Sequence, residues 1–238
     1  MGLKESGLRG SLRNVSVGIA AIPDNVVDNF EDHPDGIYDT GDDLSDFYSG
    51  PALNNADRTT EDDPAEGEKH LKITDSRNSI YSLENNGLNR YHEPGDTVAV
   101  LLKEDGDSQP HVGTNLSDEN GNIEGYSFGF QPSGNEFRLR KYSDFAESDD
   151  AGDGLASGSI SLSNDEWYWL EFDTPEIGDG SMELRVYDVT LNDEPERGSE
   201  LESLSAVDDD FANGGGVGYK PLSASTNDMF ADWMRVID

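Results

Sequence analysis

No cysteine occurs in the 238 residues, which excludes a disulfide framework, a thiolate metal site and a cysteine nucleophile. No apolar run approaches the roughly 18 residues that cross a bilayer as a helix, so no membrane insertion is expected. Positive charge is scarce: 16 Lys and Arg stand against 51 Asp and Glu, giving a formal charge of −35 and a pI near 4.1. Such a surface repels phosphate backbones, which argues against nucleic acid as a partner. Nor does any long stretch carry the 3.6-residue apolar period of an amphipathic helix.

The acids are scattered through turns and strands instead of forming a tail, the pattern of a hydrated, salt-adapted surface. Self-repulsion at this charge opposes compaction unless counterions screen it, and the Debye length falls to about 3 Å at 1 M salt. With 33% hydrophobic residues the chain also approaches the composition of disordered segments. Patterning decides for a folded protein. Tyr126-Ser127-Phe128-Gly129-Phe130, Glu136-Phe137-Arg138-Leu139-Arg140 and Glu183-Leu184-Arg185-Val186-Tyr187 alternate with the period of half-buried strands.

Residues 1–22 form a different region. Lys4, Arg9 and Arg13 oppose Glu5 alone, so this segment carries +2 of the total −35 and leaves −37 to the other 216 residues. Its glycines and lack of a helical stripe predict an extended N-terminal arm, and Ile22-Pro23-Asp24 marks the start of a second unit, residues 23–238. Within that unit Val26 to Phe30 opens a series of short strands. Residues 31–67 read mostly as loop, with a short strand near Phe47-Tyr48. Val98-Ala99-Val100-Leu101-Leu102 is continuous enough to be buried on both faces. Residues 126–131 and 136–142 form one hairpin across Pro132-Ser133-Gly134-Asn135; residues 167–173 and 182–189 form another across Ile177-Gly178-Asp179-Gly180. Gly214 to Tyr219 and Met229 to Ile237 close the unit. The fold class predicted is all-β, a two-sheet antiparallel jelly-roll-like β-sandwich preceded by an arm.

Six segments in order carry a resemblance: Val27-Asp28-Asn29-Phe30-Glu31-Asp32, Pro94-Gly95-Asp96-Thr97, Phe137-Arg138-Leu139, Asn164-Asp165-Glu166-Trp167-Tyr168, Val186-Tyr187-Asp188, and Met229 through Val236. Over roughly residues 26–238 they resemble concanavalin A-like lectin/glucanase domains, particularly LamG-like modules of halophilic archaea and their viruses. The resemblance implies two curved sheets, adjacent first and last strands, and a concave face that binds glycans in many relatives. It also implies one structural calcium ion near the first and last strands, with Glu31 and Asp232 as ligands. The Leu3 to Arg13 opening followed by Ile22-Pro23 adds a resemblance to virion components, hence a virion or extracellular surface in high salt.

Three functional readings follow from different residues. Outward Arg138, Arg140 and Tyr142 offer fork donors and a ring for sugar hydroxyls or anionic groups. This favours a non-catalytic lectin-like structural or adhesion module, displayed on a capsid, tail or surface assembly and contacting host-surface glycans. Glu171-Phe172-Asp173-Thr174-Pro175-Glu176 matches the E-x-D-x-x-E of laminarinase-like enzymes, whose paired carboxylates act as nucleophile and acid/base, so a glycoside hydrolase or lyase is the alternative. Against it, Asp173 is expected to begin a turn, Pro175 removes a ladder donor, and acid-rich sequence makes the match by chance; the carboxylates are read as solvated strand-edge groups. A structural spacer with no ligand is the third reading. His33, His70, His92 and His111 are read as surface residues, and the three tryptophans as core.

Two expectations can be measured directly. Far-ultraviolet circular dichroism should show β structure that melts cooperatively in molar salt and loses cooperativity as salt is removed; identical melts at low and molar salt would refute the salt-adapted reading. Leu8, Arg9, Leu12 and Arg13 should dock the arm on other subunits of a homo-oligomer or parent particle. Apolar contacts would supply most of the affinity where salt screens ion pairs. Deleting residues 1–22 should leave a folded domain that no longer assembles, and an unchanged sedimentation coefficient in molar salt would show that the arm does not dock.

Overall fold

The computed structural model describes residues 25–30 and 44–237, apart from 60–63, 66, 68, 75–76, 85, 89, 104–108, 132–134, 149–151, 164, 193 and 223–227. The whole arm, its Leu8, Arg9, Leu12 and Arg13, and also Glu31 and His33 lie outside the described residues. Fourteen strands are described: β1 Val26–Asp28, β2 Ala56–Thr59, β3 His70–Ile73, β4 Ile80–Ser82, β5 Thr97–Lys103, β6 Pro110–Glu119, β7 Asn122–Gln131, β8 Glu136–Tyr142, β9 Asp153–Ser159, β10 Trp167–Asp173, β11 Ser181–Thr190, β12 Glu196–Val207, β13 Gly216–Pro221 and β14 Met229–Ile237. Only one short 3₁₀ turn, Leu53–Asn55, interrupts them among the described residues, and no helix there is long and apolar enough to cross a membrane.

All pairings are antiparallel and build two sheets. One runs β12-β11-β10-β5-β14-β3-β2, with β1 also on β14; the other runs β4-β13-β6-β7-β8-β9. The expected neighbourhood of first and last strands is thus present, with Val26 opposite Arg235. Both expected hairpins form, Phe130 pairing with Phe137 in one and Asp173 with Glu183 in the other. The second turns through Gly178 (φ 85°) and Gly180 (φ 67°), left-handed conformations that glycine adopts without a Cβ clash.

Alternation places the inward residues of both sheets in one core. Tyr126, Phe128, Phe130, Phe137 and Leu139 come from the six-stranded sheet; Val98, Val100, Leu102, Tyr168, Leu170, Phe172, Leu184 and Val186 from the other. Phe128 stacks on Phe172 with centroids 5.0 Å apart, and Phe130 meets Tyr168 edge-on at 5.7 Å, arrangements that add to the area term. In β5, Ala99 and Leu101 pack into a second cluster with Trp167, Phe230 and Trp233 on the opposite face, so this strand is buried on both faces as expected.

The structure differs from the sequence reading in several elements. Strands β2, β6, β9 and β12 occupy stretches not read as strands, and Phe47-Tyr48 lies at a turn beside an isolated Ser49–Tyr81 bridge. The histidines differ most: His70, His92 and His111 are 0%, 1% and 0% exposed, not surface residues. Each sits where sheet and loop leave the imidazole no path to solvent.

His92 links this burial to stability. Its Nε2 accepts the Asn115 N–H at 3.0 Å, which requires the neutral ring, and Nδ1 faces the Glu93 carbonyl at 3.4 Å. Burial disfavours the imidazolium and lowers the group from 6.5 to about 4. The unfolded chain therefore binds this proton more readily than the folded one. The resulting stability is fully present above pH 6.5 and is lost as pH falls through about 4, a difference of ~3 kcal/mol. His92→Gln keeps an acceptor but does not titrate. The gap in unfolding free energy between wild type and His92→Gln should shrink by about that amount from pH 7 to pH 4 in urea titrations at constant molar salt; a constant gap would refute it.

Candidate functional site

The outward face of the eight-stranded sheet is built by β10. With Tyr168, Leu170 and Phe172 in the core, Trp167, Trp169, Glu171 and Asp173 point the other way. Trp169 meets Trp233 edge-on at 4.8 Å, and Arg235 and Arg197 lie 4.5 and 4.9 Å over the rings of Trp233 and Tyr187. Glu171 Oε1 accepts from Arg197 at 2.6 Å and from Trp169 Nε1 at 3.1 Å, while Arg185 Nε stands 3.6 Å from Oε2. Arg185 also donates to both oxygens of Asp173, at 2.8 and 2.6 Å, and to Glu183 at 2.6 Å. Thr97 donates to Asp173 Oδ1 at 2.7 Å.

This corrects two expectations. Strand β10 continues through Asp173 instead of turning there, because Thr97 and Glu183 pair with it on either side. Glu171 is not a solvated edge group: it is 2% exposed in a central strand. Glu176 lies beyond Pro175, exposed and outside the strand, so the third carboxylate of the pattern does not join the other two. The rings are largely covered as well, with Trp233, Trp167 and Tyr187 exposed by 0%, 5% and 8%. This face is a closed network of paired charges.

The outward face of the six-stranded sheet is built by β8. Phe137 and Leu139 enter the core, and Arg138, Arg140 and Tyr142 face away from it. Cross-strand register aligns Lys220 with His111, His111 with Gly129, and Gly129 with Arg138; Ser127 lies opposite Arg140. A Cβ at Gly129 would lie 2.0 Å from the Pro110 carbonyl oxygen, so glycine is required where β6 and β7 close up. Here Tyr142 is corrected: it is fully buried, edge-on to Phe145 at 5.3 Å. Lys220 Nζ sits 4.8 Å over its ring and donates to the Phe145 and Glu147 carbonyls at 2.9 and 2.7 Å. The segment holding Phe145 covers Tyr142, which leaves the two arginines as the accessible members of the expected trio.

Arg138 donates through Nε and Nη2 to Glu136 Oε2 at 2.9 and 2.5 Å, and Arg140 donates to the Gly152 carbonyl at 3.2 Å. Both line a groove of about 520 Å³ completed by Glu136, Gly154, Leu155, Ala156 and Ser157. Its β9 wall is mostly of small residues, Leu155 excepted, and a Cβ at Gly154 would meet nothing within 4 Å. Beside the arginines His111 is buried, with Nδ1 3.1 Å from Ser127 Oγ and no hydrogen-bond partner at Nε2. Burial, reinforced by Arg140, Arg138 and Lys220, holds it neutral, well below the usual histidine range. Sequence reasoning missed both His111 and the β9 wall: a Gly-Ser edge strand gives no apolar period.

At the junction of β1 and β14, Asp28 and Asp232 are 4% and 0% exposed. Asp28 accepts from Phe30 N at 2.8 Å and Tyr48 Oη at 2.7 Å; Asp232 Oδ1 accepts from Trp233 N at 2.7 Å. Tyr219 is pushed well above its ordinary value by burial and then by these two carboxylates. Calcium takes six to eight oxygens. No group of three or more His, Cys, Asp or Glu suited to a metal ion occurs among the described residues, and the expected ligand Glu31 lies outside them. Asp28 was the missed acid; its Asx bond to Phe30 is the local signal.

No protein-family model and no curated protein matches this chain. Among solved structures it is similar to a marine PL-14 alginate lyase from Aplysia kurodai, at 10% identity over 90% of this chain and 97% of that one, with a TM-score of 0.51. It is also similar to the carbohydrate binding module CBM66 from Bacillus subtilis (12% identity, 79% and 92% covered, TM-score 0.47) and to the Ca²⁺/Man3GlcNAc-bound exoplasmic/lumenal domain of VIP36 (10%, 82% and 89%, TM-score 0.46). Identity at this level speaks for the fold alone. The chain is an all-β, jelly-roll-like β-sandwich, an architecture it shares with the alginate lyase.

Proposed function

We propose that this chain is a non-catalytic carbohydrate-binding module whose β8–β9 groove receives a saccharide chain. The observation that carries the reading is the pair Arg138 and Arg140, side by side in a groove whose β9 wall is mostly of small residues. Guanidinium forks give several donors in fixed directions, which suits recognition of sugar oxygens. The non-catalytic part is supported by Glu171 and Asp173, whose oxygens are engaged by Arg185, Arg197, Trp169 and Thr97. A nucleophile and an acid need oxygens open to substrate. The charge of −35 supports a setting in high salt, and residues 1–22 would attach the module to a larger assembly, a virion or a cell surface, that contacts host glycans.

Affinity electrophoresis in molar salt against a panel of soluble polysaccharides tests the reading. Wild type should be retarded by at least one polymer, and Arg138→Ala/Arg140→Ala should weaken that retardation about tenfold or more, the scale of one or two charge-assisted hydrogen bonds. No new reducing ends or unsaturated products should appear. Product release abolished by Glu171→Gln would instead establish the hydrolase or lyase reading, and failure to bind any polymer would leave a structural spacer.

A further inference from the structure

The outermost strand of a sheet leaves backbone N–H and C=O groups unpaired, and soluble proteins blunt such edges by shortness, charge, proline, bulges or cover. Four edges end the two sheets among the described strands: β2 and β12 in the eight-stranded sheet, β4 and β9 in the six-stranded one. Three are blunted. Strand β4 is three residues long, and Ser49 occupies its free side by exchanging two backbone hydrogen bonds with Tyr81, both at 2.8 Å. Strand β2 is four residues long, and two of its four, Asp57 and Arg58, are charged. Strand β12 is lined with Glu196, Arg197, Glu200 and Glu202.

Strand β9 lacks these protections. After Asp153 it holds no charge, and the uncharged run extends from residue 154 to residue 164, eleven residues in a chain of which 28% are charged. No uncharged run in the sequence is longer; the other of that length, 125–135, falls mostly in the interior strand β7. Packing accounts for Gly158, where a Cβ would lie 2.4 Å from the Phe137 ring. It does not account for Ser157 and Ser159, which are exposed and yet carry no carboxylate. Strand β12 runs nearby but belongs to the other sheet, and among the described residues nothing pairs with the second side of β9. A bulge at Leu155, between the Arg140–Gly154 and Leu139–Ala156 pairs, confines the regular edge to residues 156–159.

The charge pattern points to one occupant. Two copies of a chain at −35 repel wherever their carboxylates meet, so an edge without charge is where they can touch. In an antiparallel self-pairing centred on Ser157, that residue faces its own copy, Ala156 faces Gly158, and Asp153 falls beyond the strand. No like charges then stand opposite each other, and a two-fold contact of this kind uses the same patch on both copies.

On these grounds we infer that β9 is a dimerisation edge: two copies of this chain join β9 to β9 and merge their six-stranded sheets into one. The axis relating two antiparallel strands is perpendicular to the sheet, so both β8–β9 grooves open on the same face. Given the carbohydrate-binding reading, such a dimer engages one polymer at two points; the dimer itself does not depend on that reading. The contact is short, below the roughly 1,200 Å² of a standard interface, and the dimer is correspondingly weak and reversible.

Sedimentation equilibrium of the intact protein in molar salt tests this without any polymer. Wild type should rise from the single-chain mass toward twice that mass as its concentration is raised to the millimolar range; a single-chain mass throughout overturns the inference. Backbone N–H groups alternate sides along a strand, so one of Ser157→Pro and Gly158→Pro removes a donor to β8 and the other a donor on the free edge. Whichever variant melts like wild type should weaken the dimer about tenfold or more, since the two-fold repeats each lost hydrogen bond. A dimer that persists unchanged in that variant belongs to another contact and overturns the inference. If both variants prove unfolded, hydrogen exchange of wild type decides. Alternate amides of residues 156–159 should exchange severalfold more slowly at high than at low protein concentration, and unchanged exchange overturns the inference.

Discussion

The interface between the two sheets, where Phe128 lies on Phe172 and Phe130 against Tyr168, sets the position of everything else in the molecule. In a chain with only 33% hydrophobic residues and a charge of −35, most of the apolar area is gathered in that one layer, with smaller clusters around Trp233 and Tyr142 on the outer faces. Each buried large side chain contributes roughly 1.5–3 kcal/mol against the conformational entropy of ordering the strands. Alternation is the means. Every second residue of β7, β8, β10 and β11 enters the layer, and the residues between them are fixed on the outward faces in register. The position of Arg138 next to Arg140, or of Glu171 next to Asp173, is a consequence of where Phe137, Leu139 and Phe172 have to go.

That dependence explains what could be read in advance. Strands β5, β8, β10, β11 and β14 each combine apolar alternation or a continuous apolar run with turn residues at their ends, and their limits are close to those expected from sequence. Strand β12 escaped because it is a charged edge: Leu204 and Ala206 lean on the core, but Glu196, Arg197, Glu200 and Glu202 dominate its composition and protect the edge from further pairing. Strand β9 has the sequence DGLASGS, with Leu155 its one large apolar residue, so it shows no apolar period although it pairs along β8. Strand β6 carries a register shift after Thr114 and a left-handed Asn115 (φ 53°), so its side chains do not keep one period.

The candidate sites were legible in part for the same reason. Arg138 and Arg140 follow from simple alternation, whereas the burial of Tyr142 depends on a segment downstream of β8 that folds back over it, a contact no local pattern encodes. The histidines illustrate the limit more sharply. His111 and His92 look like surface residues in a polar sequence, yet Pro110, Gly129 and the glycines at 214–216 allow backbones to approach so closely that the rings are shut in. Gly129 and the glycines at 214–216, which look open in sequence, mark close backbone contacts in the fold.

A chain of this composition also changes which residues carry information. With 51 carboxylates against 16 cations, acidic pairs at any given spacing arise without selection for chemistry, and the Glu171–Asp173 pair is held by two arginines as part of the sheet. Cations are the scarce group, so where they accumulate is less easily a by-product of the acidic composition. On the eight-stranded sheet they are spent on neutralising carboxylates that alternation would otherwise bury unpaired, which costs several kcal/mol per isolated charge. On the six-stranded sheet Arg138 donates to Glu136 and Arg140 to the Gly152 carbonyl, and the neighbouring β9 wall carries mostly small side chains. The groove beside Arg138 and Arg140 is the observation on which the proposed carbohydrate-binding reading rests.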